Sequence, residues 1–327
     1  MSKCEVCFRH CDIPEGGVGF CMARSCKDGS VYPISYGKVT SLALDPIEKK
    51  PLRHFHGGSK ILSVGSYGCN LRCPFCQNSE ISWAENVPEW EKRADTLMPD
   101  ELADIAQNLR DKGNIGVAFT YNEPLICYEY VLDTAKLIHE KGMVNVLVSN
   151  GTAELPILEK LIPYIDAMNI DLKGFHDGFY ENVLKGDKET VLDFIKEASG
   201  HCHIELTTLI VTGENDSDDE IFSECNWILN TLGADVPLHF SAFFPRYKFE
   251  NRKPTSLSTL LRAYNIAKKA GLHYVYTGNI TNVETSSTYC KNCGKPIILR
   301  NGYQLLEYNL DNQGKCKFCQ TQCVGRF

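Results

Sequence analysis

Cys69-Asn70-Leu71-Arg72-Cys73-Pro74-Phe75-Cys76-Gln77-Asn78 stands shortly after the apolar run Ile61 to Val64, and its reading decides the fold. Three thiols at C-x3-C-x2-C spacing suit three irons of a [4Fe-4S] cluster, whose thiolate ligands normally come in fours. No fourth cysteine stands nearby. One iron is therefore left for an external molecule. Structural zinc sites show instead four ligands in paired C-x2-C knuckles. A lone triplet behind a strand-like run, with an aromatic before its last cysteine, fits the cluster better. The plain alternatives are a zinc loop or buried free thiols.

Working outward, the chain has 327 residues, enough for one large α/β domain with appendages. With 43% hydrophobic and 23% charged residues it has the composition of a folded globular protein. A formal charge of −7 argues against a broad nucleic-acid footprint, which needs a basic surface. The opening Met1-Ser2-Lys3-Cys4-Glu5-Val6-Cys7 has no apolar export-signal core, and no apolar run reaches membrane length, so a cytoplasmic protein is expected. Sixteen cysteines need an explanation there, because that compartment disfavours disulfides. They are grouped: five in the first 26 residues, three in the motif and five after residue 289. Only Cys127, Cys202 and Cys225 stand alone, as small core residues do.

The chain divides into a cysteine-rich cap (1–33), a strand or hairpin extension (34–59), a long alternating region (60–280) and a small module with its own cysteines (281–327). In the third segment, strand-like runs at Ile61–Gly65, Gly116–Thr120, Val144–Ser149, Ala167–Asp171, His203–Val211, Leu238–Phe243 and His273–Tyr276 alternate with amphipathic stretches. These include Glu129–Glu140, Asp218–Leu232 and Ser258–Ala270. Such alternation predicts βαβ units and a parallel sheet. Right-handed crossovers curl it toward a barrel, and six or seven units fall short of eight, so a partial (β/α)6-type barrel is expected. Ligands in such folds gather at the carboxyl ends of the strands. Polar groups recur there: Thr120-Tyr121-Asn122-Glu123-Pro124, Ser149-Asn150-Gly151, Asp171-Leu172-Lys173, His239 within its strand, and Tyr276-Thr277-Gly278-Asn279.

The cysteine triplet resembles the signature of the radical S-adenosylmethionine (SAM) superfamily, and the whole organisation resembles its pyruvate formate-lyase activating enzyme group. More narrowly, the chain is similar to the radical SAM member of the AmmeMemoRadiSam system. That similarity is carried by Asp45-Pro46-Ile47-Glu48-Lys49-Lys50-Pro51-Leu52, Cys69 to Asn78, Thr120 to Pro124, Asp171-Leu172-Lys173-Gly174, Tyr274 to Ile280 and Val324-Gly325-Arg326-Phe327. The resemblance implies that Cys69, Cys73 and Cys76 ligate the cluster and SAM binds its open iron. It puts Asn122 and Glu123 at the loop receiving the SAM amino group. This chain reads Tyr121-Asn122-Glu123 where the superfamily has Gly-Gly-Glu, so Glu123 carries the match. It implies SAM contacts by Asp171, Lys173 and His239, ribose or carboxylate contacts by Ser149 and Asn150, and Phe75 near the adenine. The residue chemistry agrees: an ammonium wants a carboxylate such as Glu123, a carboxylate wants a cation such as Lys173, and ribose wants short polar side chains. The bland readings are a solvated Lys173, a turn carboxylate at Glu123 and a core histidine at His239.

Cys290-x2-Cys293 and Cys316-x2-Cys319 form two knuckles around a hairpin-like stretch, approximating a zinc ribbon. Zinc is expected there, with a single rubredoxin-type iron as its rival and Cys323 read as packing. Cys4, Cys7, Cys11 and Cys21 can close another tetrathiolate with Cys26 to spare. Either zinc or an auxiliary iron–sulfur cluster suits it, and zinc is the preferred reading.

The expected activity is reductive cleavage of SAM to a 5′-deoxyadenosyl radical that takes hydrogen from a substrate these motifs do not specify. A one-electron donor such as ferredoxin or flavodoxin is implied, with functional association to AMMECR-type and Memo-type proteins. Activation of a glycyl radical enzyme is the rival within the class. A zinc-stabilised RNA-binding module, suggested by the modestly basic tail, is the rival outside it, and the acidic chain disfavours it. Arg246, Tyr247, His54, His56 and Tyr276 are expected to line the barrel mouth.

Overall fold

Runs such as Val144-Asn145-Val146-Leu147-Val148 are rich in β-branched residues and nearly continuous in apolar character, as strands covered on both faces are. A computed structural model of the chain describes residues 1–83 and 87–327. Its main sheet contains β1 (Ser41–Pro46), β2 (Lys60–Gly65), β3 (Asn114–Phe119), β4 (Val144–Ser149), β5 (Ala167–Asp171), β6 (His203–Ile210), β7 (Leu238–Ala242) and β8 (Val275–Gly278). The strands lie in the order β8-β7-β6-β5-β4-β3-β2-β1. β2 to β8 are parallel, with Leu62 opposite Val117, Ser149 opposite Ile170 and His239 opposite Tyr276. β1 runs antiparallel along β2 and covers that edge, with Asp45 level with Ile61.

Parallel neighbours need long crossovers. Here α1 (Pro99–Asn108), α2 (Tyr128–Glu140), α3 (Leu155–Leu161), α4 (Lys188–Ser199), α5 (Asp218–Thr231) and α6 (Leu257–Ala270) fill one crossover each between β2 and β8. Their starts are written in the sequence. Asp187, Ser217 and Ser256 accept from the backbone N–H of Thr190, Glu220 and Thr259 at 2.9, 3.2 and 3.1 Å. Each such cap contributes about 1 kcal/mol. Edges β1 and β8 do not pair among the described residues, so the barrel stays open, as the unit count predicted.

The extension is anchored by a carboxylate inside the barrel. Glu205 of β6 is fully buried and accepts from the backbone N–H of Arg53 and His54 at 2.8 and 2.7 Å, from His203 at 3.0 Å and from His239 at 2.7 Å. Burial alone would raise its pKa, but the two imidazole hydrogen bonds outweigh it and hold the carboxyl well below the usual range.

The C-terminal residues form a three-stranded antiparallel sheet, β9 (Thr288–Tyr289), β10 (Pro296–Asn301) and β11 (Gln304–Tyr308). It packs directly on the extension. Arg300, fully buried, donates to Thr288 Oγ1 at 2.9 Å and to the carbonyl of Arg53 at 2.7 Å. The N-terminal residues form short hairpins, and Glu154 N–H donates to Val6 O at 3.0 Å, which lays them against the loop leaving β4. Among the described residues no helix is long and apolar enough to cross a membrane.

Candidate active site

Cys69, Cys73 and Cys76 sit on the loop leaving β2 and line one cavity of about 360 Å³. Its wall also includes Glu123, Ser149, Asn150, Asp171 and Lys173, from the exits of β3, β4 and β5, and Ser241 and Asn279 from β7 and the exit of β8. One cavity reached from both ends of the sheet requires the sheet to wrap around it. Its size lies within the roughly 300–1,000 Å³ usual for small-ligand sites.

The carboxylate of Glu123 is the hub. It accepts from Leu125 N–H at 3.0 Å, Ser149 Oγ at 2.8 Å and Asn150 N–H at 2.8 Å. A carboxylate offers about four lone-pair sites, so one acceptor position is left toward the cavity. Burial pushes its pKa up to about 7 against the pull of these hydrogen bonds. The Asn150 amide donates to Asn70 Oδ1 at 2.9 Å and faces the Cys69 sulfur at 3.8 Å, so the hub reaches the cysteine loop. Asn122 accepts from Ser66 N–H at 3.0 Å and donates to Tyr67 O and Gly68 O, both at 3.1 Å. It stitches the exits of β2 and β3 together.

Lys173 Nζ pairs with Asp171 Oδ2 at 2.8 Å. Burial works against its charge, but Asp171 outweighs it and raises the lysine pKa above the ordinary value. Phe75, buried, stacks on Phe179 with centroids 6.2 Å apart and meets Phe243 edge-on at 6.3 Å. This gives the cavity one apolar wall. Burial also raises the thiols of Cys69 and Cys73, the latter to about 12, so without a metal these sulfurs keep their protons.

His239 falls outside this group. Its Nε2 is held by Glu205, and it lines a neighbouring cavity of about 410 Å³ that shares Lys49, Pro51, Ser241 and Asn279 with the first. Side chains two residues apart on a strand share a face, so Ser241, nearer the exit of β7, lies on the same side as His239 and lines both cavities. His54 and Tyr276 are also not at the mouth: His54 Nε2 meets the Tyr276 hydroxyl at 2.6 Å, both fully buried. Arg246 is exposed and pairs with Glu80 at 3.5 Å. Sequence reading assigned no role to Lys50 or Asp45. Asp45 accepts from Lys49 at 2.8 Å, Lys50 at 2.9 Å and the Tyr121 hydroxyl at 2.9 Å, bringing both lysines to the cavity. The charge density of Asp45 to Lys50 was the available signal.

At the C-terminus, Cys290 Sγ lies 3.5 Å from Cys319 Sγ and Cys293 Sγ 3.8 Å from Cys316 Sγ. Tetrahedral zinc with bonds of about 2.3 Å brings thiolate sulfurs to roughly 3.8 Å. Cys323 is buried beside His54 Nδ1, at 3.8 Å, outside the four.

Residues 63–225 match the radical SAM superfamily. An uncharacterised protein of Methanocaldococcus jannaschii is 42% identical over 97% of this chain and 93% of its own length. The pyruvate formate-lyase-activating enzyme of Clostridium pasteurianum is 26% identical over 53% of this chain and 72% of that enzyme. Streptococcus suis SuiB bound to S-adenosylmethionine shares the fold, with a TM-score of 0.52 at 13% identity over 65% of this chain and 48% of SuiB. The chain belongs to the radical SAM superfamily and is homologous to its activating enzymes. It is an enzyme, and the family implies a [4Fe-4S] cluster, SAM, a reductant and a substrate.

Proposed function

We propose that this chain is the radical SAM member of an AmmeMemoRadiSam system. Cys69, Cys73 and Cys76 hold the cluster and the cavity around Glu123 holds SAM. The observation that carries this reading is the convergence of three cysteines, Glu123 and Lys173 on one cavity. The donor set fits: three soft thiols for iron, and a carboxylate and an ammonium for the amino-acid end of SAM. When bound, the reduced cluster supplies one electron for cleavage of the SAM sulfonium to methionine and a 5′-deoxyadenosyl radical.

The chain's own residues bind and orient. Glu123 accepts from the SAM ammonium with its remaining lone pair, while Ser149 and Asn150 keep it from swinging away. Lys173, held by Asp171, faces the SAM carboxylate, Asn122 fixes the loop, and Phe75 packs against the adenine. His239 acts indirectly, by holding Glu205 and shaping the adjoining cavity, which is the space for the substrate. Cys290, Cys293, Cys316 and Cys319 hold zinc in a structural role, supported by their sulfur separations. Ferredoxin or flavodoxin supplies the electron, and AMMECR-type and Memo-type proteins act with the enzyme. The match of Asp45 to Leu52 and of the C-terminal residues to that system supports this partnership.

The test is SAM cleavage by the anaerobically reconstituted protein with dithionite. Reductant-dependent 5′-deoxyadenosine that disappears in Cys73→Ala is the expected result, and protein that takes up no iron overturns the reading. The activating-enzyme relatives favour a second reading, activation of a glycyl radical enzyme. It predicts a glycine-centred radical signal when such a protein is added.

A further inference from the structure

The four N-terminal cysteines converge, but not as ligands of one metal ion do. Cys4, Cys7, Cys11 and Cys21 line a single small cavity beneath the cap. Cys11 is half-buried and the other three are buried. The fifth cysteine of the cap is excluded, because Cys26 Sγ faces Glu15 Oε2 at 3.7 Å.

The protein carries its own standards of comparison. At Cys290, Cys293, Cys316 and Cys319 the four sulfurs all lie within 4.8 Å of one another. Four bonds of about 2.3 Å to one tetrahedral ion put sulfurs roughly 3.8 Å apart, inside that limit. Among the described residues no three of Cys4, Cys7, Cys11 and Cys21 meet this limit, and Cys69, Cys73 and Cys76 do not meet it either. In an iron–sulfur cluster each thiolate holds a different iron, so the sulfurs stand further apart than around one ion. The N-terminal group, like the cysteine triplet, therefore lines one cavity without the close spacing of ligands to a single ion.

The backbone ties the two groups together. Cys69 N–H donates to Cys21 O at 3.2 Å, and Cys4 N–H donates to Cys11 O at 2.9 Å. Asn70, next to Cys69, lines the same small cavity as Cys7. Two guanidiniums flank the junction, Arg9 at 3.4 Å and Arg72 at 3.9 Å from the ring centroid of Phe20, the residue before Cys21. Arg9 Nε also donates to Asn70 O at 2.6 Å. Fixed positive charge of this kind offsets the anionic charge of a tetrathiolate cluster.

We propose that Cys4, Cys7, Cys11 and Cys21 hold a second [4Fe-4S] cluster, in place of the zinc that spacing along the sequence suggested. Four cysteines ligate every iron, so this cluster has no open position for SAM. The inference rests on the proposed function only in taking the wider spacing of Cys69, Cys73 and Cys76 as that of a cluster.

The experiment is metal and sulfide analysis of the full chain reconstituted anaerobically with iron, sulfide and zinc. About eight irons and one zinc per chain are expected, as for two [4Fe-4S] clusters and one ribbon. A Cys69→Ser/Cys73→Ser/Cys76→Ser variant should keep about four irons, with a reduced-cluster EPR signal that does not respond to SAM. A Cys7→Ser/Cys11→Ser variant should keep the SAM-responsive signal and lose the other. Wild-type protein with about four irons and two zincs overturns the proposal, as does loss of all iron from the triple variant. Iron that persists unchanged in the triple variant would instead refute the cluster at Cys69, Cys73 and Cys76 and leave this site standing.

Discussion

Replacing Glu224 with Gln should stabilise the chain at pH 7 and flatten its stability between pH 5 and 8. Glu224 lies on α5 and is 1% exposed. Burial, which Glu220 reinforces and the Thr208 hydrogen bond only partly opposes, pushes its pKa up to about 8. Its carboxyl meets the Thr208 hydroxyl, which also lies 2.8 Å from the carbonyl of Leu172. One hydroxyl proton cannot serve two acceptors. A protonated Glu224 resolves the conflict by donating to Thr208 Oγ1, which then donates to Leu172 O, the backbone between Asp171 and Lys173. The native state thus holds a proton that the unfolded chain releases above its ordinary glutamate pKa. Stability from this group is full below about pH 4.5 and is lost as pH rises through about 8. At one unit per 1.36 kcal/mol, the loss is about 3 kcal/mol at pH 7 and about 5 kcal/mol above pH 8. The Gln amide donates the same hydrogen bond without titrating, so Glu224→Gln should gain about those amounts. Urea unfolding of the reduced, zinc-saturated chain and its variant from pH 5 to 9 measures the difference, in which other titrating groups cancel. A pH-independent difference, or a variant less stable at pH 7, would refute the reasoning.

Glu123→Gln should weaken SAM binding by roughly 10–150-fold, the equivalent of a charged hydrogen bond of about 1.5–3 kcal/mol. Equilibrium dialysis of the reconstituted protein checks it, and unchanged affinity would leave Glu123 a loop anchor only. Gly65→Ala places a Cβ 2.8 Å from Tyr121 Cδ2 and 2.9 Å from its Cβ. Overpacking of this kind costs about 1–3 kcal/mol, readable as a lower urea midpoint. Cys290→Ser should release one zinc per chain and expose the ribbon to protease while leaving the barrel resistant, as limited proteolysis with metal analysis would show.

Much of the barrel was legible because its signals are local. Strand-like runs and helical periodicity act within a few residues, so each strand and crossover could be placed from its own segment. The Cys69, Cys73 and Cys76 spacing is equally local, as are the two C-terminal knuckles. The rim was legible for the same reason, since the topology of parallel βαβ units sends every strand exit to one end.

What the sequence by itself determined was this alternating architecture, the cysteine triplet and the polar exits of β3, β4 and β5. The tertiary structure alone decided which partner each group meets. It set His239 against Glu205 in the adjoining cavity, left Ser241 of the same strand to reach the cysteines' cavity, and brought Tyr121, beyond β3, to Asp45 of β1 and to Lys50. It also set the distances among the N-terminal sulfurs. Spacing along a chain limits how far apart two thiols can lie, but only packing against the loop at Cys69 and Asn70 fixes how far apart they do lie, and that separation distinguishes one ion from a cluster.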